Sequence, residues 1–359
     1  MAQYAELCDK KLTEKYWQWI KSNPGLIKCY GEAAHGGISN NPNITWEIVE
    51  KNLDSIIKWK WEYISKKKSV TWDIIQSNPH INWVPRSVSM NPNITPKIID
   101  ENPSYPWDWD YLHKNPNITW EFISNNMDKK WSWYSIGCFV DNFPFDVIKN
   151  NPQVSWDSMY VSLSKNITWE IVKNNLDYKW DWRMISKRDF ITLDIIENNM
   201  DLPWDWEYLN SNPNITIEFL KKHTFIPIKP MLLSSNPAIT IDDVIKNPSI
   251  GWSMFKLSQN PNITWDIVKS NPQIKWNDCG LSINPNITLD IITKNYGKFE
   301  WAFELIFSKT SFSREPVEKE LNEAATKIQR WFLEIIWNPH TKIGKRFHDK
   351  NYDRTFKMN

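Results

Sequence analysis

The chain has 359 residues and a formal net charge of +1, from 43 Lys plus Arg against 42 Asp plus Glu. So even a balance creates no field that selects nucleic acid or an anionic membrane. Cys8, Cys29, Cys138 and Cys279 lack the spacing of a disulfide framework or a zinc site, and no stretch approaches the ~18 apolar residues of a membrane span. The charged segment 1–20 has no signal-peptide core, so these features together predict a cytosolic protein without metal or cofactor.

Residues 1–35 hold a partial unit, Trp17-Gln18-Trp19-Ile20 with Asn23-Pro24, and read as a degenerate N-terminal cap. From there the pattern Ile-Thr-Trp-Asp/Glu recurs at Thr45, Thr71, Thr95, Thr119, Thr168, Thr192, Thr216, Thr240, Thr264 and Thr288, with Pro144 in the missing place. The spacings are 26, 24, 24 and 25, then 24 six times. A period this strict predicts one small unit stacked over residues 36–310, an α-solenoid of about eleven two-helix repeats.

Each unit contains two helix starts. Thr119 and Ser132 are good N-cap types, and the apolar residue before each cap is matched five residues later by another, a hydrophobic staple. In second helices the staple pairs are Trp59 with Ile64, Trp83 with Val88, Trp107 with Leu112, Trp131 with Ile136, Trp156 with Val161, Trp180 with Ile185, Trp204 with Leu209, Ile228 with Leu233, Trp252 with Leu257 and Trp276 with Leu281. Pro85, Pro96 and Pro230 fall on first helical positions, where proline is welcome. Seven residues past the Thr place comes Asn in every unit but the one with His223, which reads as a left-handed C-terminal cap. No alternating strand pattern recurs, against the rival leucine-rich-repeat solenoid. Helices this short need neighbours for stability. With axes roughly 8–10 Å apart, the stack is expected to form a rod or superhelix on the order of 100 Å long.

From Pro316 the period stops. Val317, Leu321, Ala324, Ile328, Trp331 and Ile335 outline an amphipathic helix, so residues 311–339 read as a capping helix and residues 340–359 as a basic, mobile tail. Ala324-Ala325-Thr326-Lys327-Ile328-Gln329-Arg330 looks like the start of a calmodulin-binding IQ motif, but Leu333 and Glu334 stand where that motif has a basic residue and glycine. A calmodulin-like partner at Ile328-Gln329 is therefore the weaker reading, and the capping helix the default.

Candidate chemistry is sparse. Asp or Glu two residues past the Thr place, as at Glu47, Asp73 and Glu121, is what a helix dipole favours in a first turn. Asn two residues before the cap, as at Asn117 and Asn262, reads as a hydrogen-bonding ladder, and its Asn-Ile-Thr triplets as structure in preference to glycan acceptors. The six histidines fall on unrelated phases, and neither a phosphate-binding glycine loop nor Gly-x-Ser-x-Gly occurs, so no catalytic site is expected. A tryptophan-rich solenoid could stack nucleic-acid bases, but basic residues at a fixed phase are missing. Variable positions one place after the first-helix staple residue, Glu50, Gln76, Asp100, Ser124, Lys149, Lys173, Glu197 and Lys269, are the candidate partner-binding residues.

Asn115-Pro116-Asn117-Ile118-Thr119-Trp120 and Asn260-Pro261-Asn262-Ile263-Thr264-Trp265-Asp266-Ile267-Val268, with the intervening Trp-Asp-Trp, resemble the Asn-Pro-Asn-Ile-Thr-Trp repeat proteins of giant DNA viruses of the Mimivirus kind. The resemblance spans roughly residues 36–310. It implies a viral origin, placement in infected-cell cytoplasm or in the virion, and an interaction or virion role, with no activity at residue level. The expected function is a non-catalytic scaffold or adaptor for a protein partner; the alternatives are a structural component of a virus particle and a nucleic-acid-binding solenoid.

Overall fold

A computed structural model describes every residue except 1, 134–135, 137–139, 141–142, 153, 296, 309–311, 313–315, 325 and 328–359. The fold is all-α, with no β-strand among the described residues. The chain divides into two compact bodies, one of residues 23–310 and one of residues 1–22 with 311–359. The array therefore begins at Asn23, inside the segment 1–35 that reads as a separate cap.

Residues 23–310 form the solenoid of helix pairs. First helices such as Pro96–Glu101, Trp120–Ser124 and Trp265–Ser270 span one to two turns. Most start at a threonine hydroxyl that accepts an otherwise unpaired backbone N–H, as Thr119 Oγ1 does from Phe122 N at 3.4 Å and Thr264 Oγ1 from Ile267 N at 3.4 Å, whereas Thr45, Pro144 and Thr288 start their helices without a side-chain cap bond. Thr240 and Asp243 complete a reciprocal capping box.

The ends of these helices differ from expectation. Asn78, Asn102, Asn151, Asn247 and Asn271 all have negative φ, near −125°, so they are not left-handed caps. Each instead turns its side chain back, as Asn102 Nδ2 does to Ile98 O at 2.8 Å, and satisfies a carbonyl of the last turn. The freed Asn backbone carbonyl then accepts the indole N–H of the following tryptophan, at 2.9 Å from Trp107 to Asn102 and 2.7 Å from Trp204 to Asn199. Tryptophan thus joins the end of a first helix to the start of the second, with an apolar ring and one satisfied donor. Ile228 is the exception. Lacking an indole N–H and following His223 instead of Asn, it stays 45% exposed while its expected staple partner Leu233 is fully buried.

Second helices are capped in another way. Asp157, Asp181, Ser253 and Asn277 use their own side chains, but Lys60, Val84, Lys229 and Ala302 do not. In nearly every unit the cap residue's backbone N–H donates to the previous unit: Val84 N to Ser65 Oγ at 3.1 Å, Asp108 N to Ser89 Oγ at 2.9 Å, Asn277 N to Ser258 Oγ at 2.9 Å. These serines are fully buried and link unit to unit.

The strongest link is the first asparagine of each Asn-Pro pair. Asn115 Nδ2 donates to Ser89 O, Asn91 O and Ile94 O at 3.0, 3.0 and 2.9 Å, and Asn212 repeats the arrangement on Ser186, Arg188 and Ile191. The second asparagine does the same nearer the surface, Asn117 Nδ2 reaching Pro92 O at 2.7 Å and Ile94 O at 3.0 Å. Such donors satisfy buried loop carbonyls that no helix or sheet would otherwise pair. Lys67 and Arg188 replace asparagine in the inner ladder, Lys67 Nζ donating to Asn41 O at 2.7 Å. Burial pulls the Lys67 ammonium down to a pKa of about 7, with the neighbouring Lys66 charge adding to it.

The array does not extend as the expected rod or superhelix on the order of 100 Å long. Its ends meet: α2 (Pro24–Asn40) packs on the last second helix, Phe303–Ile306. Gly31, at φ 47°, breaks α2 so that its second half lies where each unit has its second helix. Asn41 Nδ2 donates to Phe307 O at 3.1 Å, the same inner-ladder bond seen elsewhere, here between residues 266 apart in sequence. The Tyr30 ring lies 5.9 Å from that of Phe303 and 6.2 Å from that of Phe307. A small rotation per unit, summed over the array, brings the last unit back to the first.

In the other body, α1 (Ala2–Ser22) packs on the helical residues 316–324. Cys8, Leu12, Val317 and Leu321 form one buried cluster with Phe312 against it, and Lys11 pairs with Glu320 at 2.5 Å. Val317 and Leu321, two of the apolar residues assigned to a capping helix, pack on α1, whereas Ile328, Trp331 and Ile335 lie outside the described residues.

Candidate partner-binding edge

All eight candidate positions, Glu50, Gln76, Asp100, Ser124, Lys149, Lys173, Glu197 and Lys269, are exposed, each beside a buried or nearly buried staple residue such as Val49, Ile148 or Val268. They sit in the last turn of first helices, at one phase of the repeat. Two of them reach the neighbouring unit: Lys149 Nζ donates to Asn175 Oδ1 at 2.8 Å, and Glu197 Oε1 accepts from Lys222 Nζ at 2.7 Å and meets His223 Nε2 at 3.0 Å. The eight positions thus share one phase and exposure, and at Lys149 and Glu197 the side chain bridges to the next unit. Hydrogen bonding from Lys222, then from His223, holds the Glu197 carboxyl below the usual range, so it carries full negative charge at neutral pH. Lys269 turns within its own helix to Asp266 at 2.7 Å.

Lys221, Ile245 and Thr293 share the phase and the exposure, and were missed although counting five residues from Thr216, Thr240 and Thr288 finds them. Ile245, 51% exposed, is the apolar member of an otherwise polar row.

The repeated side chains are engaged elsewhere. First-turn acids pair with a lysine four residues on, Glu47 with Lys51 at 2.7 Å and Asp242 with Lys246 at 3.7 Å, both exposed to solvent that screens them. Tryptophan rings face other rings across units: Trp72 and Trp107 are 5.3 Å apart, Trp46 and Trp83 5.3 Å, Trp169 and Trp204 5.8 Å. The Nδ2 atoms of Asn93, Asn117 and Asn214 are likewise committed to carbonyls of the preceding unit, so a glycan there would break the ladder.

Among the described residues no three His, Cys, Asp or Glu side chains gather as metal ligands, and no helix is long and apolar enough to cross a membrane. His113, fully buried at a serine place of the ladder, is pushed down to a pKa of about 4, first by burial and then by Lys114. A cleft of about 730 Å³ beside it is lined by Asp110, Tyr111, Lys114, Trp131 and Trp133. It adjoins the unit in which Val140 occupies the inner asparagine place. The segment at Ile328-Gln329 and the tail 340–359 lie outside the described residues.

Comparison with protein-family models, with curated proteins and with solved structures finds no match for the chain.

Proposed function

We propose that the protein is a non-catalytic scaffold that binds a protein partner along the variable edge of its first helices. One contrast carries this reading. The residues that recur are committed to the fold, the Thr caps to their own helices and the Trp rings, ladder Asn and Ser to holding unit on unit, whereas the edge that differs from unit to unit is exposed and built of mixed charge. A patterned row of this kind suits recognition by electrostatic complementarity, which selects one partner over others without taking part in the fold. The resemblance to giant-virus repeat proteins supports a viral setting for that partner.

The test reverses three neighbouring members together, Lys149→Glu, Lys173→Glu and Glu197→Lys. The exposed ties lost are weak, so the melting temperature should stay within a few degrees of the original. Affinity purification with the intact protein and with the triple variant should then recover a partner with the first and lose most of it with the second. Equal recovery by both overturns the reading. Recovery that depends only on residues 311–359 assigns binding to that segment.

A further inference from the structure

The contact that closes the array is a protein–protein interface in all but covalent linkage. Every other unit is joined to the next by the chain itself. Between α2 and the helix Phe303–Ile306 no peptide bond runs, and the joint is built from different residues. Phe307 stands where other units place the linking serine, so the hydroxyl bond is replaced by packing of Tyr30 on Phe303 and Phe307. Asn41 supplies the directional bond to Phe307 O. Gly37 allows the close approach: a Cβ there would stand 2.6 Å from Phe307 Cβ and 3.2 Å from Ser308 N. Asn43 marks the break in the outer ladder, its Nδ2 turning to Asn41 Oδ1 at 3.1 Å where Asn93 and Asn117 reach the preceding unit.

The two faces of this joint differ from each other, so it is heterologous, and any copy's α2 fits any copy's final helix. We infer that the α2 seam is an interface a second copy of this chain can occupy, α2 of each copy docking on the Phe303–Ile306 helix of the other in a reciprocal exchange. Closure within one chain competes through an effective concentration on the order of millimolar for a tethered end. The monomer therefore dominates in dilute solution, and exchange requires opening, as domain swapping does.

The test uses the full chain with Glu304→Cys, Cys138→Ser and Cys279→Ser, keeping exposed Cys29 and fully buried Cys8. The protein is unfolded in guanidinium, refolded at about 5 μM and at about 500 μM, below and near that effective concentration, and treated with a short bismaleimide. Dilute refolding should give a monomer by light scattering, with Cys29 linked to the new cysteine within one chain. Concentrated refolding should give a dimer fraction whose link runs between chains. Gly37→Leu, which drives a side chain into Phe307, should abolish both links. Only monomer after concentrated refolding, or a dimer without the interchain link, overturns the inference. The same light scattering on the unaltered protein decides the matter if the cysteine variant fails to fold.

Discussion

Asn115→Ala is expected to destabilise the array by about 3 kcal/mol or more, read as a shift in urea midpoint and as faster amide exchange in the units on either side. The Asn115 side chain is 1% exposed and donates to three carbonyls of the preceding unit, while its Oδ1 accepts from Asn117 N at 2.9 Å. Alanine leaves the carbonyls of Ser89, Asn91 and Ile94 without that donor, and an unsatisfied buried polar group costs about 1–3 kcal/mol. Asn117→Ala removes a more exposed pair of bonds, which water can replace, and should cost distinctly less. Equal losses would mean that the inner ladder is not what joins the units.

Trp107→Ala should cost about 3–5 kcal/mol, the range for deleting a large aromatic from a core. Trp107 is 8% exposed, lies 5.3 Å from the Trp72 ring and 4.5 Å from Tyr105, and holds Asn102 O through its indole N–H. Trp107→Phe keeps much of the packing and loses the hydrogen bond, so it separates the two contributions. Glu121→Gln, which changes only an exposed first-turn charge, should cost under about 1 kcal/mol. If Trp107→Ala and Glu121→Gln cost the same, the tryptophan face is not the core.

The period, the threonine caps and the burial of most Trp and Ile staple positions were legible in the sequence because each is a local property repeated many times. The asparagines were harder. Asn after a short helix suits a left-handed cap by propensity, and only the geometry shows its side chain folding back on the helix while its carbonyl waits for an indole. Ser65, Ser89 and Ser258 gave no signal, since serine at the end of a short helix is unremarkable until the next unit is placed against it. Closure was illegible for a different reason. It depends on a rotation accumulated over many units, and no residue encodes a sum. The clues, Tyr30, Gly37 and Phe307, fall where the repeat fades and looked like decay of the pattern. Of the partner-binding edge, phase and exposure were readable, whereas the ties of Lys149 to Asn175 and of Glu197 to Lys222 required neighbouring units in space.

The most direct test of a closed array is the distance between its two ends. Spin labels on exposed Cys29 and on Glu304→Cys, with Cys138 and Cys279 replaced by Ser, flank the Tyr30–Phe303 contact. Pulsed electron–electron resonance at low micromolar protein should give one narrow distribution at no more than about two helix spacings, roughly 20 Å. An open stack of the same units would place the labels on the order of 100 Å apart, beyond coupling, and a decay without short-distance modulation would contradict the closed array.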